Sequence, residues 1–156
     1  MAEPSALPRK TFLPNFSPPA RSQKIITAIA FDKGSSWIGT REGLYHYDFN
    51  AKTWEKITTE NGLASDRVSS LVVDDKNVWV GSSDRGISCY DKAASKWQVF
   101  KDEDGLADNN VRTILADGDR IWFGTFSGGI CRYDKASDLW TTYRSADYKT
   151  ASYVSQ

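Results

Sequence analysis

Hydrophobic residues in the middle of this chain fall into short runs that Gly, Asp, Asn and Ser separate. The clearest series occupies residues 68–73, 78–81, 86–90 and 97–100. Each run holds four to six residues and is rich in β-branched and aromatic types, which favour strands. No window shows the 3.6-residue period of an amphipathic helix. The pattern therefore predicts four short β-strands joined by tight turns.

The same series occurs three times, with a period of about 43 residues. Trp37, Trp79 and Trp122 lie 42 and 43 residues apart, and each begins a Trp-x-Gly-Thr/Ser motif. A Gly-Leu or Gly-Ile pair, a Tyr-Asp pair and a second tryptophan follow each motif. Four strands per repeat of this length are typical of a β-propeller blade. We therefore predict an all-β fold of three four-stranded antiparallel blades.

The repeated residues are predicted to be structural. We expect the aromatic residues to pack blade on blade, and each aspartate to form the turn before the outer strand. The glycine of the first motif is expected to mark a bulge or a close backbone approach. The repeated aromatic and acidic residues are Trp37, Trp54, Trp79, Trp97, Trp122, Trp140, Tyr47, Tyr90, Tyr133, Asp48, Asp91 and Asp134.

The repeat resembles that of the two-component regulator propeller family. The resemblance rests on the motifs above and on the Asn/Asp-Gly-Leu elements at residues 61–63 and 104–106, and it covers about residues 25–143. Kelch repeats space Tyr and Trp in a similar way, but their period is about fifty residues. The resemblance implies a bladed sensor segment of the kind found ahead of bacterial membrane-bound histidine kinases. We expect no catalytic activity and no cofactor.

The repeat also divides the chain into predicted parts. Residues 1–24 contain all five prolines and are predicted to be an extended arm or linker. The blades are predicted at about 25–67, 68–110 and 111–143. Residues 144–156 are predicted to be a tail at the start of a would-be fourth blade.

Three blades are fewer than the four to eight of a closed propeller. An open arc would expose two apolar end faces, and such patches mark an interaction site or an incomplete assembly. Two interpretations remain open: the chain is part of a longer propeller, or two copies pair into a six-blade ring through their end blades. The expected partners are thus further blades or a second copy of the chain.

Charge and cysteine content reduce the number of partners and sites to be expected. Twenty Lys and Arg balance twenty Asp and Glu, so nucleic acids and anionic membranes are not expected partners. Cys89 and Cys131 are predicted to be buried free thiols rather than a disulfide. Neither they nor His46 has metal-ligand spacing, so no metal is expected. Without a signal peptide or a membrane-spanning run, the chain as written is expected in the cytoplasm, or in the periplasm if it belongs to a sensor kinase.

A ligand is expected at the end that carries the loops between second and third strands and between successive blades. These loops break the repeat and mix arginines, acids, amides and one aromatic residue. A polar ligand such as a carbohydrate requires such groups. The candidate ligand-binding residues are Arg41, Glu42, Asp66, Arg67, Ser83, Asp84, Arg85, Asn109, Asn110, Phe126 and Ser127.

Two other classes of function stay open. A protein-interaction scaffold would use the exposed blade faces and the arm, where Phe12 and Phe16 could dock. A propeller lyase or glycosidase would need two carboxylates about 5 to 9 Å apart, and the candidate acids are Glu42, Asp66 and Asp84. They lie on separate loops and no motif singles them out, so we predict no catalytic residues.

Overall fold

Residues 25–144 are described by a computed structural model and form three four-stranded antiparallel sheets. The predicted arm and all but Arg144 of the predicted tail lie outside the described residues. The strands are β1 (Ile26–Asp32), β2 (Ser35–Thr40), β3 (Gly43–Asp48), β4 (Thr53–Ile57), β5 (Val68–Val73), β6 (Asn77–Ser82), β7 (Ile87–Asp91), β8 (Lys96–Phe100), β9 (Val111–Asp117), β10 (Arg120–Thr125), β11 (Ile130–Asp134) and β12 (Leu139–Tyr143), and the 3-10 turns Thr59–Asn61 and Asp102–Asp104 connect the sheets.

Each sheet is a meander in which consecutive strands pair. We call β1–β4 blade one, β5–β8 blade two and β9–β12 blade three. In blade two, each end of a predicted strand lies within one residue of the observed end. The predicted all-β fold of three four-stranded antiparallel repeats is therefore confirmed.

The hydrophobic core lies between the blades. Alternate residues of a strand point to opposite faces of its sheet. The forward face of a blade meets the next blade in the sequence, and the backward face meets the previous one. The interface of blades one and two buries Trp37, Leu44, Ile57, Leu63, Val68, Val78 and Val80. The interface of blades two and three buries Trp79, Ile87, Cys89, Phe100, Leu106, Val111, Ile121, Phe123 and Cys131.

The inner strands of neighbouring blades approach closely. Thr27 Oγ1 donates a hydrogen bond to the carbonyl of Val68 at 2.7 Å, and Ser69 Oγ donates to that of Val111 at 2.5 Å. A Cβ added at Gly39 would lie 2.5 Å from the Val68 side chain. The expected close backbone approach at this glycine is confirmed, and its cause is the first residue of the next inner strand.

The connections between blades cover the outer-strand tryptophans. Gly62 and Gly105 end the two 3-10 turns with φ of +114° and +113°, a conformation that favours glycine. A Cβ at Gly62 would lie 2.8 Å from the Cβ of Trp97, and one at Gly105 would lie 2.7 Å from that of Trp140. The glycine of each Asn/Asp-Gly-Leu element thus lets the connection lie directly on the next blade.

The repeated aspartates form the predicted turns. Asp48 Oδ1 accepts hydrogen bonds from the amides of Asn50 and Ala51 at 2.7 and 2.9 Å. Asp91 and Asp134 accept equivalent pairs in blades two and three. The amide hydrogen bonds lower the pKa of Asp48 and Asp134, because they stabilise the ionised carboxylate.

Two blade faces have no neighbouring blade within residues 25–144. Trp54 lies on the backward face of blade one, where it packs on Tyr47 with ring centroids 4.6 Å apart. Trp122 lies on the forward face of blade three, where it stacks on Tyr143 at 5.9 Å. The other four tryptophans pack between blades, as predicted. Exposed apolar residues of the two faces include Ile29, Phe31, Leu115 and Leu139.

Candidate functional site

The blades have two differently built ends. The loop end carries the turns β2–β3, β6–β7 and β10–β11 together with the connections between blades. The turn end carries the remaining hairpin turns. All the predicted ligand-binding residues lie at the loop end, because the antiparallel meander brings these turns and connections to one side of every sheet.

The last residue of each Trp-x-Gly-Thr/Ser motif holds the loop-end turn of its own blade. Thr40 Oγ1 donates to the carbonyl of Gly43 at 2.8 Å and accepts from the amide of Glu42 at 3.0 Å. Ser82 and Thr125 make the same bond to the glycine carbonyl in the other blades. The sequence carried this signal, since the hydroxyl residue recurs with the motif.

Hydrogen bonds also tie the loop-end turns of blades one and two to the connection that follows each of these blades. The amide of Gly43 donates to the carbonyl of Asp66, and that of Gly86 to the carbonyl of Asn109, each at 2.8 Å. The Asp66 carboxylate accepts from the amide of Thr59 at 2.8 Å. The side chain of Asn109 makes the equivalent bond in the next connection. Two of the predicted ligand-binding side chains therefore stabilise the 3-10 turns.

The third loop-end turn is held by Asp108. Ser127 Oγ donates to Asp108 Oδ2 at 2.6 Å, and the amide of Asn110 donates to Oδ1 at 2.9 Å. The hydrogen bond from Ser127 is the largest of the interactions that lower the pKa of Asp108. Phe126 is fixed as well, because its amide donates to the carbonyl of Asn110 at 2.8 Å.

The aromatic residue of this turn, Phe126, pairs with an arginine on strand β9. Phe126 is 67% exposed, and the guanidinium of Arg112 lies 4.7 Å from the centroid of its ring. Sequence reasoning missed Arg112. The available signal was its place in the repeat, where Thr27 and Ser69 stand in the other blades.

The remaining candidate residues differ in exposure. Ser83 is half-buried, and its amide donates to the carbonyl of Arg67 at 3.1 Å. The side-chain oxygen of Asn110 is buried and has no hydrogen-bond partner within the described range. The exposed candidates are Arg41, Glu42, Arg67, Asp84 and Arg85. The loop end thus presents charged groups around turns that hydrogen bonds hold in place.

A cleft of about 1280 Å³ opens at the opposite, turn end. Asp74 and Lys135 line it and form an ion pair at 3.0 Å between blades two and three. The indole N–H of Trp79 donates to the same carboxylate at 3.2 Å. Burial alone would raise the pKa of Asp74, but the hydrogen bonds from Lys135 and from two turn amides outweigh it and lower the pKa.

The cleft holds no activated nucleophile among the described residues. Burial raises the pKa of Cys89 to about 12 and that of Tyr133 to about 12, so both stay protonated at neutral pH. Cys89 and Cys131 are buried free thiols, as predicted. Between residues 25 and 144 no cluster of three His, Cys, Asp or Glu residues could hold a metal ion. No helix in the same range is long and apolar enough to cross a membrane.

Comparison with solved structures finds the same fold in much longer proteins. The extracellular domain of BT3049 from B. thetaiotaomicron, assigned as a hybrid two-component system, has a TM-score of 0.69 at 21% identity over 80% of this chain and 19% of that one. The extracellular domain of BT4673 from the same organism, assigned as a one-component system, has a TM-score of 0.62 at 22% identity over 75% of this chain and 16% of that one. The chain therefore spans less than a fifth of either domain.

A designed protein and a family model complete the comparison. The computationally designed Ika4 protein has a TM-score of 0.64 at 18% identity, over 81% of this chain and 76% of that one. No curated protein matches the chain significantly. Residues 98–127 match the model of the two-component regulator propeller. This segment runs from the outer strand of blade two to the turn that follows β10. The resemblance indicated by the repeated residues is confirmed: the chain contains a repeat of the two-component regulator propeller type.

Proposed function

We propose that this chain is a non-catalytic recognition segment of a sensor propeller, which binds a polar ligand such as a carbohydrate at its loop end. The observation that carries the proposal is the Phe126 ring, exposed beside the guanidinium of Arg112. An aromatic ring offers a stacking face, and a guanidinium offers several hydrogen-bond donors. Because hydrogen bonds already fix this turn, ligand binding would order few additional groups.

The proposal includes that the segment catalyses no reaction. Of the three candidate acids, Asp66 is occupied by the amide of Thr59, while Glu42 and Asp84 are exposed on the turns of different blades. The buried thiols and Tyr133 are protonated at neutral pH. The solved structures with this fold include extracellular domains assigned to one-component and two-component systems. We propose that this segment also lies outside the cytoplasmic membrane, in the periplasm or at the cell exterior.

The test is binding of a panel of neutral and acidic oligosaccharides, followed by NMR chemical shifts and calorimetry on the full chain. The double variant Arg41→Ala/Arg85→Ala is expected to abolish binding. The variant Phe126→Ala should weaken it by about two- to tenfold, since an aromatic contact contributes about 0.5–1.5 kcal/mol. Lys76→Ala, an exposed change at the turn end, is the matched control and should bind as the unchanged chain does. Retained affinity in both loop-end variants would place the ligand elsewhere.

A second candidate function is a protein-interaction scaffold. It is favoured by the two end faces, where Phe31 is 67% exposed and Leu115 is 63% exposed. Exposed apolar patches of this kind mark interaction surfaces. A partner protein whose affinity falls with Phe31→Ser or Leu115→Ser, and not with Phe126→Ala, would favour the scaffold over the ligand-binding segment.

A further inference from the structure

Each of the two blade interfaces contains an ion pair at the turn end, at equivalent positions. Asp32, the last residue of β1, pairs with Lys92 of blade two at 2.5 Å. Asp74, which follows β5, pairs with Lys135 of blade three at 3.0 Å. In both cases the lysine directly follows the Tyr-Asp pair of the later blade. The lysine of one blade therefore reaches back to the inner-strand aspartate of the blade before it.

Both ion pairs are partly withdrawn from water. The side chains of Lys92 and Asp32 are 21% and 25% exposed, and those of Lys135 and Asp74 are 18% and 12% exposed. A carboxylate that is desolvated without a cation destabilises an interface strongly. An ion pair at this depth consequently discriminates between matching and mismatched neighbours.

The same positions differ on the outer faces of blades one and three, which have no neighbouring blade within residues 25–144. Asp117 stands on blade three where Asp32 and Asp74 stand on the earlier blades, and it is exposed. Its cross-strand neighbour Arg120 lies 3.9 Å from Asp134, and within residues 25–144 no cation pairs with Asp117. At the lysine position of blade one stands Phe49, which is 42% exposed. Blade three thus has the aspartate of this ion pair on its open face, whereas blade one has no lysine at the equivalent of Lys92 and Lys135.

We propose that the open face of blade three accepts a further blade that carries a lysine directly after its Tyr-Asp pair. The same face discriminates against blade one of a second copy, because closing that contact would desolvate Asp117 against the ring of Phe49. The partner is thus a blade of this repeat type with the lysine that blade one lacks. This inference concerns the end faces and is independent of ligand binding at the loop end.

The test supplies the missing lysine to the full chain and measures self-association by sedimentation velocity at low salt. The unchanged chain is expected not to form a closed dimer through these faces. Phe49→Lys should raise the association constant at least tenfold over the control Phe49→Gln, which removes the same ring without adding charge. The gain should vanish in 0.5 M NaCl and in the double variant Phe49→Lys/Asp117→Asn.

A pair of substitutions that exchanges the two charges distinguishes the loss of the ion pair from a folding defect in a single variant. Phe49→Asp combined with Asp117→Lys should restore the association seen with Phe49→Lys, while Phe49→Asp alone should not. A closed dimer of the unchanged chain whose affinity is insensitive to Asp117→Asn would overturn the proposal. Equal association of Phe49→Lys and Phe49→Gln would overturn it as well. Near-ultraviolet circular dichroism establishes that each variant is folded.

Discussion

The two blade interfaces use equivalent tryptophans in unequal surroundings. Trp79, between blades two and three, is 2% exposed. Its ring contacts those of Phe123 and Tyr133 at 5.8 and 5.5 Å. Trp37, between blades one and two, is 5% exposed. It stacks on His46 of its own blade at 4.0 Å and lies 6.1 Å from the ring of Tyr90 in blade two. The repeat sets where the tryptophan lies, and the residues that vary around it set how strongly two blades are joined.

The indole N–H groups of these two tryptophans also differ in their hydrogen bonding. Trp79 Nε1 donates to Asp74, which also binds Lys135. Trp37 Nε1 is buried and has no hydrogen-bond partner within the described range, while the equivalent Asp32 binds Lys92. A buried donor without a partner lowers the net stabilisation that its side chain provides. Blades two and three should therefore be joined more tightly than blades one and two.

Truncating the tryptophans should give the largest effect. Trp79→Ala is expected to lower the free energy of unfolding by about 3–5 kcal/mol, the usual effect of removing a core aromatic residue. Trp37→Ala should have a smaller effect, because a buried unsatisfied donor is removed with the ring. Urea unfolding followed by circular dichroism measures both changes. Trp122→Ala, on the open face of blade three, is the control and should have the smallest effect of the three. A larger loss for Trp37→Ala than for Trp79→Ala would contradict the ranking of the interfaces.

The Asp74–Lys135 ion pair should give the next largest effect, and a defined pH dependence. Asp74→Asn is expected to lower the free energy of unfolding at pH 7 by about 1.5–3 kcal/mol, as for hydrogen bonds to charged groups. Because the folded-state pKa of Asp74 lies below its ordinary value of 3.8, the contribution is present above about pH 4 and lost as pH falls further. The difference between the unchanged chain and the variant should therefore shrink below about pH 4.

The exposed Asp117 provides the matched control for that experiment. Asp117→Asn should change the free energy of unfolding by at most about 0.5 kcal/mol, the usual range for an exposed site. Lys135→Met should reproduce the loss seen with Asp74→Asn, since either change breaks the pair. A pH-independent difference between the Asp74 variant and the unchanged chain would show that the carboxylate's charge is not what joins the blades.

Features that recur with the period could be predicted from the sequence. The strands of blade two, the turns at Asp48 and its equivalents, and the close approach at Gly39 each follow from a local pattern seen three times. The 3-10 turns could not be predicted in this way, because three residues are too few for a periodicity.

The candidate site was predictable only in part. Its end of the propeller followed from the strand order, and the exposure of Phe126 from its place in a turn. The occupation of Asp66 and Asn109 by backbone amides could not be foreseen, since amide positions depend on the turn that the chain adopts. The pairing of Arg112 with Phe126 escaped for a related reason, because Arg112 lies on β9 and Phe126 in the turn after β10, and the other blades carry no such pair at the equivalent positions.

The smallest predicted effect concerns His46, which occupies in blade one the place of Cys89 in blade two. Burial against Trp37 lowers its pKa, and the nearby carboxylates of Glu55, Asp48 and Asp32 oppose that shift only in part. A histidine that stays neutral when folded stabilises the protein above its unfolded pKa of about 6.5, and the stabilisation is lost as pH falls through the folded pKa. The interface of blades one and two should thus weaken on mild acidification, whereas Cys89 gives the other interface no such dependence.

The measurement is the free energy of unfolding in urea at pH 7.5, 6.5 and 5.5 for the unchanged chain and for His46→Gln. The unchanged chain should lose stability across this range, and the variant should lose less, because the glutamine side chain does not titrate. His46 is the only histidine of the chain, so an NMR titration of its ring protons reads the folded-state pKa directly. A value above 6.5, or equal slopes for the two proteins, would mean that the stack on Trp37 does not favour the neutral ring. Blade one would then be joined to blade two by its ion pair and apolar contacts alone.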